Sequence, residues 1–480
     1  MTEKLNASRR EFLRAASIMS AVGASGAPFA LNLLTMGAAA AQTTADYKAI
    51  VCLFMSGGND QANTVLATDP GSWSDYLAVR TTSEAGSIAL PPVGVVGGVL
   101  PIVPNTLQPG REFALHPNLG PLKDLFDNGR AAIVANVGPL IVPTTKEQYK
   151  ANSVPLPPKL FSHNDQQSLW QSYKPEGASF GWGGRMGDLL ASMNGNATFT
   201  SISASGNAVF LAGQTINQYQ VNASGAVPIG GITGSLFGAP AGANPLQAII
   251  TGNRSHMLAK EHAAIVKRSV DAQGVLSGAM LPAGTNGVPN PTQYTNPNTG
   301  ALANNNLAIQ LQTVARVIGG RGGLGARRQI FFVNMGGFDT HDFQRTAQAD
   351  LMARLAHAIS YFDNTLSALG GADLRNQVTL FTASDFGRTF TSNGDGTDHG
   401  WGAHHFVVGG AVRGKEIYGS FPVTALGHAQ DVGSGSLLPA ISVDQYGGTL
   451  AKWFGLSDSQ VRDVFPNIAN FTMRDLGFMS

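Results

Sequence analysis

The sequence predicts an α/β protein with a mostly parallel central sheet sandwiched between helices and carrying long loop insertions. Three observations predict it. Several short runs are apolar and β-rich without alternation, among them Ile50-Val51-Cys52-Leu53-Phe54-Met55, Ile330-Phe331-Phe332-Val333-Asn334-Met335 and Val378-Thr379-Leu380-Phe381-Thr382. A continuous run of this kind implies a strand buried on both faces, as in a parallel sheet. These strands alternate with stretches of helical period, the rhythm of α/β folds. Each also breaks into a turn that carries a carboxylate, and open α/β sheets place their chemistry at the carboxyl ends of strands.

Composition narrows the class. Of 480 residues, 13% are charged, well below the roughly 25% of an average soluble domain. The formal net charge is +1 and there is no Lys/Arg block, so nothing marks a nucleic-acid partner. Cys52 is the single cysteine, which excludes an intramolecular disulfide and reads as a small buried thiol. The 59 glycines suit tight strand-to-loop joints.

The N-terminus reads as an export signal. Ser8-Arg9-Arg10-Glu11-Phe12-Leu13-Arg14, a weakly apolar stretch and then Gly37-Ala38-Ala39-Ala40-Ala41 follow the order of a twin-arginine (Tat) signal over residues 1–41. The expectation is a periplasmic or secreted protein that meets the Tat translocase during export. Residues 42–480 read as one domain with insertions around 68–109 and 197–304. No later run reaches eighteen unbroken apolar residues, so no stable span of the mature chain is expected.

In chain order, the strand Lys48 to Met55 runs into Ser56-Gly57-Gly58-Asn59-Asp60, where two glycines permit a tight turn and Asp60 can ligate a metal or cap a helix. A helix at Pro121 to Asn128 precedes a second buried strand, Arg130 to Val137, and His116 reads as structural. Phe161-Ser162-His163 opens a helix: Ser162 is either a plain N-cap or a nucleophile near the positive end of the helix dipole. Gly181-Trp182-Gly183-Gly184-Arg185 turns into another helix, and Arg185 can hold an oxyanion or a neighbouring carboxylate. Helical spacing returns between Pro240 and Leu324, interrupted by a long loop from Gly278 to Asn304; His256 and His262 face different directions there and read as structural. The strand 330–335 then runs into Gly337-Phe338-Asp339-Thr340-His341, followed by an amphipathic helix from about Gln344 to Leu369. The strand 378–382 breaks at Ser384-Asp385-Phe386-Gly387-Arg388, and a polar loop holding Asp398-His399 and His404-His405 leads to a strand near 405–410. A last helix opens at Asp444-Gln445-Tyr446. Carboxylates at three strand ends, two of them with imidazoles, suit a divalent cation: zinc, manganese, iron, magnesium or calcium.

Taken with the Tat signal, the turns at 56–60 and 337–341, the runs Ser384 to Thr389 and Thr397-Asp398-His399-Gly400, and Asp444-Gln445-Tyr446 resemble the bacterial domain-of-unknown-function family numbered 1501. That family is itself similar to the alkaline phosphatase/sulfatase superfamily. The resemblance implies Asp60, Asp339, His341, Asp385 and His399 as metal ligands, with His404 or His163 supplying a further imidazole. It implies Ser162 in the place of the helix-cap nucleophile. The Cys-x-Pro-x-Arg element of sulfatases is absent.

The expected activity is that of an exported metal-dependent hydrolase of phosphate or sulfate esters, acting on a small-molecule or glycan ester. Ser162 would attack, and Arg185 or Arg388 would steady the developing charge. The alternative is a non-catalytic envelope binding protein that keeps the fold and one metal.

Overall fold

The computed structural model describes residues 47–82, 87–232 and 245–480. The expected signal at 1–41 lies outside them, as does part of the 197–304 insertion. The central element is a ten-stranded sheet. Its middle is built from β1 (Lys48–Met55), β2 (Ala131–Gly138), β3 (Arg328–Met335), β4 (Val378–Ser384) and β5 (Ala403–Val408) in the order β2-β5-β4-β1-β3. β1 pairs in parallel with both β3 and β4. The short strand Ser201–Ser203 extends the parallel set beyond β3, whereas β5 runs antiparallel to both β4 and β2. The sheet is therefore mixed but mostly parallel, as the unbroken apolar runs predict.

Burial on both faces follows the strand period of two. In β1, Ala49, Val51, Leu53 and Met55 face one core, while Ile50, Cys52 and Phe54 face the other. Cys52 is buried and unpaired. The first core is closed by the helices Gly120–Asp127 and Asn306–Gly319 and by α3 (Gln344–Leu366), which brings in Leu351, Met352, Leu355 and Ile359. The second is closed by α2 (His163–Ser172) through Trp170, by the helix Trp182–Leu190 through Trp182 and Met186, and by α4 (Val443–Phe454) through Tyr446 and Leu450.

Two details go beyond what the sequence shows. The 68–109 insertion contains a regular helix: α1 (Pro70–Arg80) starts with the Asp69 side chain accepting from Ser72 N at 3.1 Å and with proline at its first position, a start signal for a helix. The strands β3 and β4, joined through α3, are not neighbours, because β1 lies between them.

α4 carries a capping box between Ser442 and Gln445, and its first turn buries Asp444. Burial pushes the Asp444 carboxyl up to about 7, against hydrogen bonds from the Asn467 backbone and side chain. An acid whose native pKa lies above its unfolded value of about 3.9 holds a proton in the native state that the unfolded chain has released. Stability therefore falls as pH rises from about 4 through about 7. Asp444→Asn is expected to raise thermal stability at pH 8 by about 2–4 kcal/mol and to leave it nearly unchanged at pH 4, measured by calorimetry at the two pH values.

Candidate metal centre

The carboxyl ends of β1, β3 and β4 meet at one point. Ser384 Oγ donates to the Met55 carbonyl at 2.6 Å and accepts from Asn59 N at 3.0 Å, tying the turns after β1 and β4 together. Gly57 N donates to Asp385 Oδ2 at 3.2 Å. The turn after β1 needs glycine here: Gly57 has φ +118°, and a Cβ would stand 2.3 Å from Asp339 N. Gly57→Ala is expected to lower stability by about 1–3 kcal/mol from backbone strain alone, and to displace Asp339. Urea unfolding with metal uptake by the folded fraction checks both effects.

Around Asp339 three imidazoles converge. His341 Nε2 lies 3.1 Å and His399 Nε2 3.4 Å from Asp339 Oδ1, while His163 Nε2 lies 3.4 Å from Oδ2. The Nε2 atoms of His341 and His399 are 2.9 Å apart. Each ring turns its other nitrogen to an acceptor: His163 Nδ1 to Asp385 Oδ2 at 2.8 Å, His341 Nδ1 to Asp398 Oδ1 at 3.2 Å, and His399 Nδ1 to the Phe161 carbonyl at 2.8 Å. A carbonyl cannot donate, so His399 Nδ1 carries the proton and the neutral ring keeps its lone pair on Nε2. The same assignment for His163 and His341 leaves three lone pairs aimed at one carboxylate. A partner that orients the far nitrogen is the arrangement of metal-ligating histidines.

Two buried atoms there have no hydrogen-bond partner among the described residues, His163 Nε2 and Asp385 Oδ1. Lone pairs gathered without donors repel, and buried polar atoms without partners are costly. A cation resolves both conflicts. His163, Asp339 and His399 offer ligand atoms within 4.8 Å of one another. The residues therefore fit a divalent ion.

The electrostatics favour an ionised Asp339 and a neutral His399, and without a cation in the site they draw a proton to His163. Burial raises the Asp339 carboxyl, but the Arg388 hydrogen bond and the charges of Arg388, His163 and His341 hold it below the ordinary range. The hydrogen bond to Asp385, opposed by burial and aided by the charges of Asp385 and Asp339, raises His163. Burial lowers His399.

The structure brings together Asp339, His341, Asp385 and His399 from the expected ligand set and adds His163, the imidazole named as an alternative to His404. It does not bring in Asp60 or His404. The Asp60 carboxylate is buried at 2% exposure and fully committed, taking Arg80 Nη1 at 2.5 Å, Arg80 Nη2 at 3.1 Å and Gln344 Nε2 at 2.5 Å. It is one half of an interior ion pair. His404 Nδ1 accepts from Asn136 N at 3.1 Å and its ring packs on Phe421; burial pushes it down to about 3, a neutral core histidine.

Arg388 reaches the centre in a different role. Its guanidinium is buried, with Nη1 donating to Asp339 Oδ1 and to the Gly57 carbonyl, both at 3.0 Å, and Nε and Nη2 to Thr397. It holds Asp339 in place. Arg185 instead stands over the Tyr173 ring, 5.5 Å from its centroid, where burial lowers its pKa against the charges of Tyr173 and Asp444. Ser162 is the N-cap of α2, but its Oγ makes no cap bond and donates to Asp165 Oδ2 at 2.8 Å.

The sequence singled out Asp398 without its role, and the contribution of the Phe161 carbonyl was not legible in it. Phe161 has φ +69°, a left-handed conformation unusual for a large residue, and its carbonyl accepts from His399. No local pattern announces such a turn.

No curated protein matches the chain in sequence. A similar solved structure is a Bacteroides thetaiotaomicron sulfatase from a core genetic locus orchestrating the metabolism of multiple glycosaminoglycans; it has 10% identity and a TM-score of 0.32, with 86% of this chain and 74% of that chain covered. Among protein families, residues 244–465, the stretch that supplies Asp339, His341, Asp385, Arg388 and His399, match the family described as a protein of unknown function, DUF1501.

Proposed function

We propose that this is an exported metal-dependent hydrolase of phosphate or sulfate esters, whose centre is Asp339 with His163, His341 and His399. The observation that carries the reading is the convergence of three Nε2 atoms on one carboxylate, each ring held through its Nδ1. A donor set rich in imidazole favours zinc or iron over magnesium and calcium, which prefer oxygen. When bound there, a divalent ion would polarise the ester oxygen and lower the pKa of a water.

The chain's own residues do the rest. Arg388 keeps Asp339 ionised and fixed. Asp385, Asp398 and the Phe161 carbonyl hold the protons on the far side of the three rings, so that every Nε2 faces the reacting group. Ser162 is the side-chain candidate for nucleophile, at the amino end of α2 directly before His163. The twin-arginine pattern supports export. Among the described residues no helix is long and apolar enough to cross a membrane.

The test is hydrolysis of p-nitrophenyl phosphate and p-nitrophenyl sulfate by protein stripped with chelator and resupplied with zinc or manganese. Hydrolysis that disappears with the metal and returns with it supports the reading; a folded protein that binds no divalent ion overturns it. Ser162→Ala then separates two routes. A fall in kcat of about 10³-fold or more assigns attack to the hydroxyl, and a near-normal kcat assigns it to water.

A further inference from the structure

Beside the candidate centre lies a second feature that the hydrolase reading does not use. A groove of about 260 Å³ opens between α2, the 176–177 turn, the loop after Ser201–Ser203 and the carboxyl end of β3. It shares α2 and β3 with the metal centre: His163 is followed by Asn164, a wall of the groove, and Asn334 on the β3 wall accepts from Ser56 Oγ at 2.6 Å. In an α/β sheet the adjoining space at the strand ends is where the remainder of a ligand extends.

The lining is unusual in chemistry. Asn164, Gln167, Asn207, Asn334 and Ser205 contribute amides and a hydroxyl, with Glu176 the single charged side chain and no lysine or arginine. Much of this hydrogen-bonding capacity is unspent. Gln167 lines the groove and makes no side-chain hydrogen bond among the described residues, and Ser205 Oγ has no hydrogen-bond partner. Asn207 and Asn334 use their Oδ1 atoms internally, on Gln218 and Gln220 and on Ser56, leaving their Nδ2 donors. Amide side chains offer donors and an acceptor together, and hydroxyl groups need the same combination. A lone carboxylate without a cation disfavours an anionic group there.

We infer that this groove binds the neutral, hydroxyl-rich part of a carbohydrate, whose ester group would then extend to the Asp339 centre. The role in turnover rests on the proposed hydrolase function; the binding itself does not.

The experiment is a screen of the purified full chain against an array of neutral and acidic glycans, followed by calorimetric titration of the strongest neutral oligosaccharide. Gln167→Leu removes an amide that supports nothing else, and Gln167→Trp fills the space; circular dichroism confirms folding of both. The expected result is binding weakened at least tenfold in both variants and unchanged in chelator-stripped protein. The inference is overturned if no neutral glycan binds, if both variants bind as the wild type does, or if chelator alone abolishes binding. Neutral glycan binding that persists in a protein hydrolysing no ester leaves the groove standing and removes the hydrolase.

Discussion

Asp339→Ala is expected to abolish stoichiometric binding of zinc or manganese and, with it, any ester hydrolysis. The carboxylate is the one group that all three imidazoles and Arg388 address. Removing it takes away a ligand and the anion that offsets Arg388, leaving a buried cation beside a site meant for another. Loss of an orienting partner alone costs about 10–100-fold in metal affinity, so loss of the central ligand should exceed that. Mass spectrometric metal content and calorimetric titration of the folded variant read the effect. Asp398→Ala, which removes only the partner of His341 Nδ1, is expected to fall within the 10–100-fold range. A variant of Asp339 that binds metal as tightly as the wild type would discard the centre.

Asp60→Ala is expected to do the reverse, costing stability and sparing metal. Asp60 and Arg80 form a doubly hydrogen-bonded pair with side-chain exposures of 1% and 0%. Gln344, Ala62 N and Thr64 complete the network around Asp60. Truncating one partner of a buried pair leaves the other charge uncompensated, at a cost of about 3–5 kcal/mol. Denaturant unfolding should register that loss, while the metal content of the remaining folded protein stays stoichiometric. Metal lost from folded Asp60→Ala protein would return Asp60 to the ligand set and overturn its assignment as a structural carboxylate.

Much of the scaffold was legible in the sequence because its signals are local. The unbroken apolar runs of β1, β3 and β4 could be satisfied only by burial on two faces, and both faces are covered. The turns after them, with Gly57 at positive φ and carboxylates at the strand ends, were equally local. They placed Asp60, Asp339 with His341, and Asp385 at the strand ends, and the family resemblance added His399. α1 was missed because a stretch rich in Pro, Gly and Val surrounds it and masks an Asp-Pro helix start.

What the sequence by itself determined was which residue types stand at the carboxyl ends of buried strands. Only the tertiary structure decided which of them share a centre. Asp60 and Asp339 look alike as strand-end carboxylates, yet Arg80, twenty residues further on, consumes the first. His163 and His404 are each a histidine in a polar stretch, yet burial in β5 neutralises His404 while α2 delivers His163 to Asp339. The reason is physical: a side chain's charge state and ligand capacity depend on the partners and dielectric that packing assembles around it, and those partners need not be its neighbours in sequence.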